Sequence, residues 1–308
     1  MSSHLHRGAL ALVLFVTLGV GQASLVDVVR TALAQRDFAG ADRTVEAYQR
    51  QRGIDPQLAL AISWEGREAL AAKDLDRAEV YADRARDLSL QLLKSRKLDA
   101  EPNLPLALGA SIEVHAQVMA ARGQISSAVG FLQTSARTYA KTSLLERINK
   151  NVNLLSLKGK PAPSLDAAQW IGAKPPTVAS LRGKPILLFF WAHWCPDCKA
   201  EAPVLASAAR RYAPRGLILM APTRYYGYVE GGQEAAPAAE KSYIEQIRNR
   251  YYAQLAAASV PLSNTIFATY GCSSTPTLAL IDKMGIVRWY HPGTATEAEL
   301  IREIEAVL

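Results

Sequence analysis

Two cysteines, Cys195 and Cys198, lie three residues apart in the run Trp191-Ala192-His193-Trp194-Cys195-Pro196-Asp197-Cys198-Lys199. At positions i and i+3 of a first helical turn two cysteines face each other, so a disulfide closes with little strain. Pro196 suits the first helical position, where its missing N–H is not needed. That places Cys195 at the helix start, where unpaired N–H groups and the helix dipole stabilise a thiolate. Cys198 lies one turn in and is expected to be buried, placed to resolve a mixed disulfide formed at Cys195. A zinc site is the competing chemistry, with His193, Cys195, Cys198 and Cys272 as nominal ligands. Against it, His193 precedes the pair by only two residues and no second C-x-x-C exists. A peroxidase would need an isolated cysteine in a hydroxyl-rich loop, which Pro196-Asp197 between paired cysteines does not supply. Cys272 reads as a small buried apolar residue, with a third thiol near the site as the alternative.

The elements around the pair follow from hydropathy. Pro185–Ala192 (PILLFFWA) is a continuous apolar run, as in a strand covered on both faces. A helix is expected from Cys195 to about Tyr212, a second buried strand at Gly216–Ala221, and a helix over about Ala238–Ala257. Thr277–Asp282 and Ile286–His291 read as two strands joined by a tight turn. The chain ends in a helix with Thr296 as its natural N-cap. The order β-α-β-α-β-β-α gives a sheet with helices on both faces. Arg224–Gln233, with three tyrosines beside glycines, looks inserted. It either lines a substrate groove or packs on its own rings.

Residues 25–155 differ. They are rich in Ala, Leu, Arg, Asp and Glu with helical apolar spacing. A short element recurs at Ala34–Ala41, Ala71–Ala78 and Ala121–Ala128. In each, an apolar residue (Phe38, Leu75, Ile125) stands three before a small one (Ala41, Ala78, Ala128), after a polar turn. The small residue lets two antiparallel helices approach closely. The pattern resembles the helix junction of tetratricopeptide repeats, with irregular spacing and an insertion around Leu98–Pro105; a plain helical bundle is the alternative. His115 stands alone on a helix and reads as a packed or surface residue.

With 308 residues, half of them hydrophobic (49%) and 20% charged, the chain is of ordinary globular composition, which excludes disorder and fibrous repeats. The net charge of +7 is spread thinly with no Lys/Arg block, so no nucleic-acid partner is expected. The first 23 residues read as a secretory signal peptide: His4, His6 and Arg7, an apolar run Ala9–Val20, and small residues before a cut after Ala23. An uncleaved leader that tethers the chain to a membrane is the alternative. No later stretch reads as apolar enough to span a bilayer. The parse is therefore a signal peptide at 1–23, a helical repeat-like domain at 24–158 and an α/β domain at 159–308, with Leu157–Pro163 as linker.

WCPDC after an apolar strand, with Tyr270-Gly271 leading to Thr275-Pro276-Thr277, resembles the thioredoxin fold. Cys198-Lys199-Ala200-Glu201-Ala202-Pro203 and the approach GKPAPSL…LRGKPILLFFWAHWC resemble the TlpA/ResA group of exported thiol-disulfide oxidoreductases, over about Gly159–Leu308. The resemblance implies a cis Pro276, preceded by Thr275, that shapes the groove for substrate backbone. It also implies Cys195 as attacking thiol, Cys198 as resolving thiol, Glu201 as proton acceptor, and Trp194 as a shield over the pair. The buried acid that cytosolic thioredoxins carry six residues before the first cysteine is Phe189 here, and Glu201 matches the acid of the TlpA/ResA group. Helical spacing puts Glu201 on the face of Cys198; the alternative is a surface acid pairing with Lys199 or Arg215. Asp197 opposes a thiolate beside it and favours a reducing over an oxidising dithiol.

The expectation is thus an exported, periplasmic enzyme that reduces disulfides in other exported proteins. It is re-reduced by an upstream dithiol donor, requires no metal or organic cofactor, and offers its helical half to a protein partner. The alternative is a helical-repeat adaptor in which the thioredoxin-like half is secondary.

Overall fold

The computed structural model describes residues 23–308, so the leader reading at 1–23 falls almost wholly outside the described residues. The first half is all helix: α1 (Leu25–Ala34), α2 (Phe38–Arg52), α3 (Pro56–Ala71), α4 (Leu75–Leu92), α5 (Asn103–Ala121), α6 (Ile125–Thr138) and α7 (Leu144–Ser156). The three recurring elements are the α1–α2, α3–α4 and α5–α6 junctions. Each turns on one left-handed residue, Arg36 (φ 59°), Lys73 (φ 62°) and Gly123 (φ 82°). In each, the next residue's N–H closes back five positions: Asp37 to Ala32, Asp74 to Ala69, and Gln124 to Met119. Asp37 and Asp74 also cap the helix that follows, accepting from Gly40 and Arg77. The small residues Ala41, Ala78 and Ala128 are fully buried between their helices. Leu98–Pro105 holds a short 3₁₀ turn (Leu98–Ala100) and the start of α5.

The expectation that no later stretch is apolar enough to cross a membrane needs correction. By length and composition α5 is, but 56% of that window is buried within the protein. Leu104, Leu108, Ile112 and Val118 are core residues of the helical half. His115 is packed: its ring lies 5.0 Å from that of Phe131.

The second half carries β1 (Gln169–Ile171), β2 (Ile186–Phe190), α8 (Pro196–Tyr212), β3 (Ile218–Met220), α9 (Pro237–Tyr251), β4 (Val260–Leu262), α10 (Asn264–Tyr270), β5 (Thr277–Ile281), β6 (Val287–Pro292) and α11 (Glu297–Glu305). The main sheet runs β3-β2-β5-β6. β2 is parallel to β3 and antiparallel to β5, and β5 is antiparallel to β6. β1 pairs with β4 as a separate antiparallel ribbon. Isolated parallel bridges, Met220 to Ser259 and Thr223 to Leu262, join that ribbon to the chain at the end of β3.

Every residue of β2 is buried, as its unbroken apolar run requires. Leu187 and Phe189 face a core shared with α8, α9 and α11. Ile186, Leu188 and Phe190 face Ile266, Phe267 and Tyr270 of α10 and the incoming Leu157 and Leu165. Thr296 caps α11 through the Glu299 N–H. The expected helix over about Ala238–Ala257 ends earlier, at Tyr251, and continues as a 3₁₀ turn at Ala253–Leu255. β1, β4 and α10 went unforeseen. Three-residue strands carry almost no alternation, and Pro261 within β4 argues against a strand from sequence.

The two halves meet along α7 and α10. Asn149 and Asn153 donate their side-chain amides to the carbonyls of Ala268 and Thr269, at 3.0 and 3.1 Å. Glu146 pairs with Arg224. Gly271 closes α10 at φ 64°, and a Cβ there would lie 2.2 Å from the Lys150 backbone nitrogen. Only glycine meets both demands, the left-handed turn and the close helix approach.

Candidate active site

β2 delivers the chain to the cysteine pair and α8 receives it. Cys195 is the N-cap residue of α8, with extended backbone, and Pro196 opens the helix. Cys195 and Cys198 are joined by a disulfide, with Cα atoms 5.3 Å apart. The Cys198 N–H points at Cys195 Sγ at 3.0 Å, as a helix start directs its free donors at the capping atom. Cys195 Sγ lies 3.5 Å from the Thr275 carbonyl oxygen, and the Thr275–Pro276 peptide bond is cis. The structure thus brings Cys195, Cys198, Thr275 and Pro276 together from two chain segments 80 residues apart. It buries both cysteines, not Cys198 alone. Thr275 Oγ1 is buried without a hydrogen-bond partner. Trp194 is 46% exposed beside the pair, its ring edge-on to Tyr226 at 5.6 Å. Asp197 is exposed in the first turn of α8.

Glu201 is buried, not a surface acid. Its Oε1 accepts the Ala295 N–H at 3.1 Å. Burial holds its carboxyl above the usual carboxylate range, against the lowering effects of that hydrogen bond and of His291. The surface partners considered for it are engaged elsewhere: Lys199 lies over the Tyr251 ring and Arg215 over that of Tyr212. Phe189, at the position of the missing acid, is fully buried, its ring tilted against Tyr252 at 6.1 Å. Cys272 is a buried free thiol, its pKa pushed up by desolvation. Among the described residues, no group of three or more His, Cys, Asp or Glu side chains is placed to hold a metal ion.

Behind the disulfide stands a group that sequence reasoning missed. His193 and Glu240 are each 1% exposed, with Nε2 and Oε1 3.4 Å apart. The Glu240 carboxylate accepts the backbone N–H groups of Tyr226 and Gly227 at 2.6 and 2.9 Å. Three tyrosine rings, Tyr226, Tyr228 and Tyr243, meet the His193 ring edge-on at 5.3–5.5 Å. Desolvation lowers the His193 pKa, against the pull of Glu240. Two tyrosines of the inserted segment, Tyr226 and Tyr228, together with Tyr243 of α9 therefore cage a histidine. Tyr226 also meets the Trp194 ring at the rim of the disulfide. Two tyrosines on a loop and a histidine two residues before a cysteine gave a signal in the sequence, but nothing pointed to Glu240, some 45 residues on.

The AhpC/TSA family model matches residues 158–222. The thiol:disulfide interchange protein DsbE of Xylella fastidiosa is 30% identical over 157 residues, which are 50% of this chain and 70% of that protein. The chain belongs to the thioredoxin-fold thiol-disulfide oxidoreductases. Other relatives agree. The thioredoxin-like protein YneN of Bacillus subtilis is 26% identical, over 48% of this chain and 79% of its own. The thiol-disulfide oxidoreductase ResA of Bacillus thuringiensis is 28% identical, over 46% of this chain and 73% of its own. The TlpA/ResA-type resemblance read from the CPDC run and its flanks holds. Cys195 with Cys198 is the cysteine pair that the fold joins.

Proposed function

We propose that this oxidoreductase is exported and reduces disulfides in other exported proteins. The observation that carries the reading is the Cys195–Cys198 disulfide at the start of α8, set against the Thr275–Pro276 turn. In the reduced enzyme the Cys195 thiolate attacks one sulfur of a substrate disulfide. The substrate S–S bond breaks, a mixed disulfide forms, and the departing substrate thiolate takes a proton from water. Cys198 gives its proton to the Glu201 carboxylate and attacks Cys195 Sγ. The mixed disulfide breaks, the second substrate thiolate leaves and takes that proton back from Glu201, and the enzyme is left as the Cys195–Cys198 disulfide. Two electrons have passed to the substrate, and an upstream dithiol returns them.

Thr275 and Pro276 form one wall of the substrate groove and Trp194 the rim of the other. Burial raises the Glu201 pKa toward the range where it can both take and give a proton. Asp197 sits beside Cys195 and disfavours its thiolate, which suits a reductant. In this reading residues 1–23 are a signal peptide that sends the enzyme to the periplasm. Residues 24–158 are a tetratricopeptide-like domain that recruits a partner, and 159–308 are the redox domain.

The test uses the reduced protein on an insulin-type disulfide. Cys195→Ser abolishes turnover, and Cys198→Ser accumulates mixed disulfides because attack survives and resolution is lost. Undiminished turnover by Cys195→Ser refutes the assignment. A reduction potential near ~−270 mV marks a reductant and one near ~−120 mV an oxidant.

A further inference from the structure

The loop that carries Thr275 and Pro276 also carries Ser273 and Ser274, both exposed. These two serines form one side of a cleft of about 950 Å³ whose other side is the helical half, at Arg67, Leu106, Arg147 and Lys150. That size is at the upper end of ordinary ligand sites, roughly 300–1,000 Å³. The cleft therefore begins at Ser274, next to the Thr275 carbonyl that lies 3.5 Å from Cys195 Sγ, and extends onto α3, α5 and α7.

Its charge is lopsided. Three cations face one carboxylate, Glu113, which is taken by two of them: Arg147 at 2.7 Å and Lys150 at 3.0 Å. Arg67 has no carboxylate within ion-pair distance among the described residues. Its guanidinium lies over the Trp64 ring, 4.7 Å from the centroid, with Arg30 over the same ring at 4.4 Å, and Arg67 lines the cleft. Burial and the neighbouring Arg147 pull its pKa down to about 10, against the opposing pull of Glu113, so it remains a cation at neutral pH. A guanidinium beside two further cations that already share the one carboxylate of the cleft is a receptor for a second carboxylate.

We propose that this cleft is a substrate subsite: it takes the extended polypeptide flanking the disulfide to be reduced, and it selects flanks with acidic side chains, a carboxylate docking on Arg67. The inference rests on the reductase reading and adds to it the substrate class. The helical half thereby supplies one wall of the substrate path.

The test uses the full mature protein and three disulfide-linked peptides that share the cysteine and differ only in flanking residues: Asp/Glu, Asn/Gln or Lys. The expected kcat/KM order is acidic, neutral, basic. The acidic peptide leads the neutral one by about tenfold at low salt, and the ratio shrinks as ionic strength screens the contact. In Arg67→Gln the acidic-to-neutral ratio falls toward one. Equal kcat/KM for the three peptides, or a lead for the lysine peptide, overturns the proposal. If Arg67→Gln does not fold, the peptide order and its salt dependence in the unaltered protein decide. Failure of the unaltered protein to reduce any of the peptides, or a small generic disulfide, counts against the reductase reading itself.

Discussion

Replacing Glu240 with alanine tests whether the buried group behind the disulfide supports the site. Its carboxylate accepts two backbone N–H groups, from Tyr226 and Gly227, and lies beside His193 Nε2. Alanine leaves both N–H groups buried without an acceptor. A hydrogen bond to an ionised group contributes about 1.5–3 kcal/mol, so two amount to roughly 3–6 kcal/mol. Whole-domain stability is only about 5–15 kcal/mol. Detachment of the 224–233 segment caps the loss, because water can then reach the two donors. Glu240→Gln keeps one acceptor oxygen, so its expected loss is about half, ~1.5–3 kcal/mol. Urea unfolding of the oxidised protein should therefore rank unaltered, Gln, Ala. The same segment holds Tyr226 against Trp194, so kcat/KM for a small disulfide should fall in the same order. The pair also predicts a pH dependence. The folded His193 pKa is depressed by burial below its ordinary 6.5. A depressed group contributes stability that is present above the unfolded value and lost as pH falls through the folded one. Acidification below about 6.5 should thus destabilise the unaltered protein, and His193→Phe should flatten that part of the profile. An Ala variant within about 0.5 kcal/mol of the unaltered protein, the ordinary range for surface changes, refutes the reasoning.

Two further outcomes are expected. Burial raises the Glu201 pKa, so its share of stability is present below the ordinary carboxylate range and is lost as pH rises through the folded value. Glu201→Gln keeps an oxygen for the Ala295 N–H. It should be more stable than the unaltered protein at pH 7–8, with the gap closing near pH 4, while mixed-disulfide release slows by about 10²-fold. Matching unfolding profiles and release rates would mean that the carboxylate handles no proton. Gly271→Ala drives a Cβ to 2.2 Å from the Lys150 nitrogen at a φ of 64°. Rigid backbone on both sides should make the loss about 1–3 kcal/mol, read as a lower Tm; an unchanged Tm would contradict the α7–α10 contact.

Local chemistry was legible in the sequence. The C-x-x-C spacing with Pro196, the unbroken apolar run of β2 and the three helix junctions are each specified within fewer than ten residues, because helix starts, buried strands and tight turns depend on near neighbours. The joining of Cys195 to Thr275 and Pro276 was reached only through family resemblance, since 80 residues separate them. The tertiary structure alone decided three things. It buried Glu201 where the spacing left a surface acid open. It set Glu240 beside His193 and packed tyrosines of the inserted segment around that histidine, where a groove and packing on their own rings had both stood open. And it laid α7 against α10, so that Arg67 of the helical half and Ser274 of the redox half line one cleft. None of these has a sequence period. Each depends on which surfaces the two halves bury against one another, and that is set by the packing of the whole chain and not by any window of it.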